Sequence, residues 1–118
     1  MQNYKDIKAW QKAHQLTLEI YTLTKTFPKE EQFALTSQIK RASYSIAANI
    51  AEGCGKRSAA DFTRFLNISL GSANETEYYL ILAKDLHLIE IADYNRLYAL
   101  VNEVKAMLIS FIRKVSSS

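Results

Sequence analysis

The chain contains few of the residues that interrupt helices or cross-link small proteins. Its 118 residues include 3 glycines, 1 proline and 1 cysteine. A sheet of several strands needs turns between the strands, and this chain has few residues that favour turns. Because Cys54 is alone, no internal disulfide can form, and we expect a reducing compartment. The protein is therefore predicted to be cytoplasmic.

Long apolar runs are also missing from the sequence. No segment approaches the roughly 20 apolar residues of a helix that crosses a bilayer. The opening residues, MQNYKDIKAW, lack the apolar core of a signal peptide. We therefore expect no membrane partner. Hydrophobic residues make up 48% and charged residues 23% of the chain, which is typical of a globular protein, and we predict one domain over residues 1–118.

Apolar residues recur at steps of three and four in four segments, a pattern typical of amphipathic helices. It predicts an all-α fold with helices at about 7–26, 35–53, 59–86 and 92–115. Short connections between four helices favour an antiparallel, up-down-up-down four-helix bundle. Several helices carry more apolar residues than one inner stripe needs, which predicts self-association; one wide core is the alternative.

The second helix is the one around which the others are expected to pack. Its apolar residues form one stripe: Leu35, Ile39, Ala42, Ile46, Ile50 and Gly53. Small residues flank that stripe: Ser43, Ser45, Ala47, Ala48 and Ala51. Small side chains let neighbouring backbones approach closely, so this helix is predicted to contact other helices on more than one side.

The helix ends and the glycines carry their own predictions. Asp6 is expected to cap the first helix, and Ser58 with Asp61 forms a capping-box pattern for the third. Gly53 suits a left-handed cap at the end of the second helix. Gly71 lowers helix propensity in the middle of the third helix, which a close helix crossing at that point would explain.

No group of residues has the spacing of a catalytic or metal centre. Metal sites in bundles use a Glu three residues before a His, but Gln11 precedes His14 and Lys84 precedes His87 at that distance. Cys54 has no partnered base in the sequence. We therefore predict no catalytic residue, no metal, no cofactor and no enzymatic activity.

The third helix carries two carboxylates close together in sequence, and paired acids can be catalytic. Glu75 and Glu77 are two residues apart, so they should point to different sides of the helix. An Arg41–Glu75 contact between the second and third helices is the structural prediction. Asn49 and Glu52 are expected to form hydrogen bonds near a helix end.

Charge is distributed unevenly along the chain. The net charge is +3, with nine basic and five acidic residues in 1–59 against six and seven in 60–118. A basic surface can bind the phosphates of nucleic acid without reading bases. The candidate nucleic-acid contacts are the clustered cations Lys40, Arg41, Lys56, Arg57 and Arg64. A solvated basic face without a ligand is the alternative.

Two longer patterns identify a resemblance. Residues 38–53 fit Q-I-x-R-A-x-x-S-I-x-x-N-I-A-E-G, and residues 65–77 fit F-L-x-x-x-x-G-S-x-x-E-x-E. Together with the segment YKDIKAWQKAHQLTLEIY, they resemble the family of rRNA intervening-sequence proteins over nearly the whole chain. The resemblance implies a four-helix bundle assembled as a homopentamer, and it supplies no catalytic residue.

The resemblance also bears on partners. The family is related to the accessory variability protein of diversity-generating retroelements, a basic pentamer that binds nucleic acid and associates with a reverse transcriptase. For this chain it implies copies of itself and RNA or DNA as partners. The alternative function is a protein-binding scaffold or accessory subunit that docks a partner protein and has no nucleic-acid role.

Overall fold

A computed structural model describes residues 2–117 of the chain. This part contains no strand, and the predicted all-α class is confirmed. The four α-helices are α1 (Lys8–Thr24), α2 (Leu35–Cys54), α3 (Ala59–Asp85) and α4 (Ile91–Ser116). Two single turns of 3-10 helix lie at Tyr4–Asp6 and Lys29–Glu31. None of the helices within 2–117 combines the length and hydrophobicity that crossing a bilayer requires.

Each helix contacts two others. Helix α2 packs against α1 and α3, and α4 packs against α3 and α1; within residues 2–117 no Cα atoms of the diagonal helix pairs come within 8 Å. Two buried hydroxyls join α2 to its neighbours. Thr17 on α1 donates to the Ser43 carbonyl at 3.1 Å, and Ser69 on α3 donates to the Ile46 carbonyl at 2.7 Å. The prediction that the second helix is contacted on more than one side is confirmed.

The core follows the apolar stripes of the sequence. All six residues of the predicted α2 stripe are buried. On α3, the buried residues form one inner face with mostly three- and four-residue steps: Phe65, Leu66, Ser69, Ala73, Thr76, Leu80 and Ala83. Leu100 on α4 is also buried, with 8% of its surface exposed. It lies beside Val101, so the buried surface of α4 is wider than a minimal stripe.

The start of α1 differs from the prediction. Asp6 ends the first 3-10 turn, and Ile7 occupies the N-cap position of α1 with no side-chain hydrogen bond. Ile7 is buried, so apolar packing fixes the chain where a polar cap was expected. Ser58 caps α3 as predicted: its hydroxyl accepts a hydrogen bond from the Asp61 backbone N–H at 3.1 Å.

The two glycine predictions are both wrong. Gly53 lies inside α2, no glycine in the described residues has a positive φ, and Gly55 ends the helix. A Cβ at Gly53 would lie 2.9 Å from Phe62 Cδ1 and 3.1 Å from Phe65 Cβ. A Cβ at Gly71 would meet no described atom within 4 Å. The close helix approach is therefore at Gly53, where α2 and α3 leave no room for a side chain.

The end of α3 contains a feature that the sequence did not reveal. His87 has φ 60°, the left-handed conformation usually taken by glycine at this position. Its N–H donates to the Lys84 carbonyl at 3.0 Å, and the Leu88 N–H donates to the Ala83 carbonyl at 2.9 Å. This pair of bonds is a Schellman motif, and it directs the chain from α3 towards α4.

Candidate nucleic-acid interface

The five predicted cations fall into two groups. Lys56 and Arg57 lie in the α2–α3 connection and Arg64 on the second turn of α3; we call these three the turn cluster. Lys40 and Arg41 lie on α2, thirteen or more residues before the end of that helix. At about 1.5 Å per residue, this places them roughly 20 Å from the turn. The structure therefore does not bring all five cations to one site.

Two members of the turn cluster share an aromatic ring. The Lys56 Nζ lies 4.9 Å and the Arg64 guanidinium carbon 4.5 Å from the centroid of the Phe65 ring. Phe65 is itself buried. Its ring is therefore held in place by the core and can form cation–π contacts with both side chains. Arg64 also lies 3.6 Å from the Asp61 carboxylate, but both side chains are more than half exposed and the pair is weak.

The third member is free to meet a ligand. Arg57 is exposed and forms no ion pair or hydrogen bond with any residue in 2–117. It lines a cavity of about 250 Å³ together with Lys56, Ser58 and Phe62. Helix α3 starts beside this cavity at Ala59, and the positive end of its dipole adds to the two cations. Asp61, in the first turn of α3, partly offsets this positive potential.

Lys40 and Arg41 lie next to exposed aromatic rings. The Lys40 Nζ is 4.8 Å from the centroid of the Tyr21 ring. Both cations line a depression of about 350 Å³ to which Tyr21, Phe33 and Tyr44 also contribute. We call these five residues the aromatic face. The sequence predicted the two cations of this face but not its rings, although Phe33, a large apolar residue two positions before α2, was an available signal.

The expected Arg41–Glu75 contact is wrong. The Arg41 guanidinium donates to Gln38 Oε1 at 3.1 Å, and Glu75 accepts from the Tyr79 hydroxyl at 3.1 Å. Tyr79 thus takes the place on Glu75 that was expected for Arg41. Burial, and then the hydrogen bond to Glu75, raise the pKa of Tyr79, and the nearby Arg41 charge acts in the opposite direction.

Glu75 and Glu77 point to different sides of α3, as predicted. Glu77 faces α4, where its carboxylate accepts from Lys105 Nζ at 2.8 Å and from Asn102 Nδ2 at 3.4 Å. The hydrogen bond from Lys105 is the main reason that the pKa of Glu77 lies below its ordinary value. The two carboxylates therefore belong to separate contacts and do not form a catalytic pair.

The other residues considered as catalytic or metal-binding candidates are engaged in contacts within the fold. Asn49 Nδ2 donates to the Ser45 carbonyl at 2.8 Å within α2. The His14 ring stacks on Trp10 with centroids 5.1 Å apart. Cys54 is buried, and burial raises the pKa of its thiol. Across residues 2–117, no group of three or more His, Cys, Asp or Glu side chains is placed to hold a metal ion.

Comparison with known proteins agrees with this architecture. A family model described as 23S rRNA-intervening sequence protein matches residues 5–110. The chain belongs to this family. Among solved structures, it is similar to a protein of unknown function from the S23 ribosomal protein family of Bacteroides thetaiotaomicron. That protein is 36% identical, the match covers 89% of this chain and 95% of that one, and the TM-score is 0.82. Among curated proteins, none has a significant match.

The family match has a consequence for the candidate interface. Residues 5–110 of this intervening-sequence protein include the whole of α1, α2 and α3 and most of α4. Both the turn cluster and the aromatic face therefore lie inside the family domain.

Proposed function

We propose that this intervening-sequence protein is a non-enzymatic protein that binds RNA or DNA through phosphates. The observation that carries the proposal is the turn cluster. Lys56 and Arg64 are held on one buried ring, and the unpaired Arg57 lies between them in sequence. Cations fixed in this way need little further ordering when a phosphate arrives.

The expected salt dependence of the binding constant follows from the number of phosphate contacts. Three phosphate contacts on duplex nucleic acid correspond to a slope of about −2.7 in a plot of log K against log salt concentration. Such binding is weak for one chain at physiological salt. A single turn cluster would therefore need to act together with others.

We further propose that the chain is an antiparallel up-down-up-down bundle that assembles as a homopentamer. The contacts of Gly53 with Phe62, and of Ile46 with Ser69, support opposite directions for α2 and α3, because they pair later α2 residues with earlier α3 residues. Large exposed apolar side chains outside the aromatic face support association: Leu18, Ile68, Leu86, Ile91 and Ile109. A ring of subunits repeats the turn cluster and strengthens weak phosphate contacts by avidity.

The test is a salt titration of RNA and DNA binding. The variant Lys56→Ala/Arg57→Ala/Arg64→Ala should bind more weakly than wild type and should show a shallower salt slope. A matched control removes three exposed cations elsewhere, Lys25, Lys29 and Arg113, and so has the same net charge. Equal loss in both triple variants, or salt-insensitive binding by wild type, would refute the proposal.

A second candidate function is docking of a protein partner. It is favoured by Leu86 and Ile91, which are 50% and 61% exposed at the two ends of the α3–α4 connection. Native protein purified with a stoichiometric polypeptide and no nucleic acid would support this candidate over the first. A substitution of both residues by Ser should then release the polypeptide.

A further inference from the structure

The aromatic face exposes rings in a way that core packing does not explain. Phe33 is 89% exposed, Tyr44 is 45% exposed and Tyr21 is 40% exposed. By contrast, Phe27 and Phe65 are buried. Leaving Phe33 almost fully in water forgoes the free energy that burying its ring would give. A ligand that covers the ring would recover that free energy.

The charge of the aromatic face indicates the kind of ligand. Lys40 and Arg41 both line the depression, and no carboxylate lines it among the residues described. Its other lining side chains are the neutral Gln32, Thr36 and Ser37. Each of them can both donate and accept hydrogen bonds. The depression is thus a cationic surface with aromatic walls, which suits an anion that also carries flat rings.

The rings differ in availability. Lys40 already covers one face of Tyr21, so that ring is engaged within the protein. Phe33 and Tyr44 form no ring or cation contact with any residue in 2–117. Two open rings beside two cations offer stacking and charge neutralisation at the same place.

We propose that the aromatic face binds an unpaired nucleic-acid strand. Its bases stack on Phe33 and Tyr44, and its phosphates contact Lys40 and Arg41. This inference rests on the proposed function and deepens it, because it assigns single strands to this face and leaves phosphate contacts with duplex regions to the turn cluster. Bases inside a duplex have their faces covered by neighbouring pairs, so a duplex cannot use these rings.

A two-fold contact between two copies of the chain fits the aromatic face poorly. In a two-fold symmetric contact, the same patch lies on both sides of the interface. Lys40 and Arg41 would then face their own equivalents with no lining carboxylate to compensate, which is repulsive. The heterologous contact of a ring would set a different surface against this face, and the oligomeric state of the variant below tests that case. Two lining cations with no lining carboxylate favour a polyanion as the occupant.

The experiment measures binding of a fluorescein-labelled oligouridylate of about 12 nucleotides, a length within the range of known single-strand sites. A short RNA duplex with the same label is the second probe. Phe33→Ala/Tyr44→Ala should weaken single-strand binding by about tenfold or more and leave duplex binding unchanged. Tyr78→Ala is the matched control, because Tyr78 is 55% exposed and lies outside the aromatic face. Circular dichroism and light scattering check the fold and assembly of each variant.

The outcomes separate this inference from the proposed function. If the double variant binds single strands like wild type while the turn-cluster variant is impaired, the inference fails and the proposed function stands. If wild type binds neither probe, both fail. If the double variant changes the oligomeric state, the aromatic face is a contact between copies and the inference is overturned. Selective loss of single-strand binding with unchanged assembly supports the inference.

Discussion

Replacing Gly53 by alanine places a methyl group where α3 leaves no space for it. The new Cβ would lie 2.9 Å from Phe62 Cδ1 and 3.1 Å from Phe65 Cβ. Phe62 cannot simply turn away without cost, because its ring packs edge-to-face on Phe111 with centroids 5.7 Å apart. Phe65 Cβ is attached directly to the α3 backbone, so relief at that atom requires movement of the helix.

Two opposing effects determine how far Gly53→Ala changes the free energy of unfolding. Overpacking a well-packed contact costs about 1–3 kcal/mol. Alanine in place of glycine inside a helix contributes about 1 kcal/mol in the stabilising direction. We therefore expect Gly53→Ala to lower the free energy of unfolding by up to about 2 kcal/mol, because the cost of the contact equals or outweighs the gain in helix propensity.

Gly71→Ala is the internal control for this reasoning. Gly71 is also inside a helix, but a Cβ there would meet no described atom within 4 Å. This variant should gain about 0.5–1 kcal/mol, since only the propensity effect remains. The assay is equilibrium urea unfolding followed by helical circular dichroism at one fixed protein concentration, because assembly would make stability depend on concentration. A Gly53→Ala protein as stable as Gly71→Ala would refute the argument.

Three further predictions concern helix ends and one partly buried ion pair. His87→Gly should stabilise the protein by about 0.5–1 kcal/mol in the same assay, because glycine adopts φ 60° without strain; a destabilised variant would contradict the Schellman assignment. Ser58→Ala should cost about 1 kcal/mol through loss of the α3 cap, and Ser58→Asp should restore most of it. The pKa of Glu77 is lower in the folded protein than its ordinary value of 4.5, so the unfolded chain binds the proton more readily. Stability from the Glu77–Lys105 contact is therefore present above that value and is lost as pH falls through the folded pKa; Glu77→Gln should flatten this acid dependence in unfolding measured between about pH 3 and 7.

Much of the fold was predictable because it depends on short-range patterns. The α2 stripe, the inner face of α3 and the Ser58 cap each rest on residues within a few turns of one another. Helical periodicity and capping are physical effects on that scale. The cap of α3 was missed because its left-handed residue is His87, whose side chain gives no signal for that conformation.

The candidate interface was predictable only in part. The cations were identified from sequence, but their division into two groups depends on the length of α2 between Arg41 and Lys56. The aromatic face was missed because Tyr21 lies on α1 and comes beside Lys40 of α2 only after folding. The Arg41–Glu75 prediction failed because Glu75 accepts a hydrogen bond from Tyr79, which lies one turn further along α3.

The sequence by itself determined the helical class, the buried stripes and the family, because each is written in residues close together along the chain. Tertiary structure alone decided which glycine lies at a tight helix contact. Gly53 and Gly71 both interrupt good helical sequence, yet only the former faces a neighbouring helix. It also decided which exposed rings accompany Lys40 and Arg41. The physical reason is that distances between residues on different helices depend on how those helices pack, which no local pattern records.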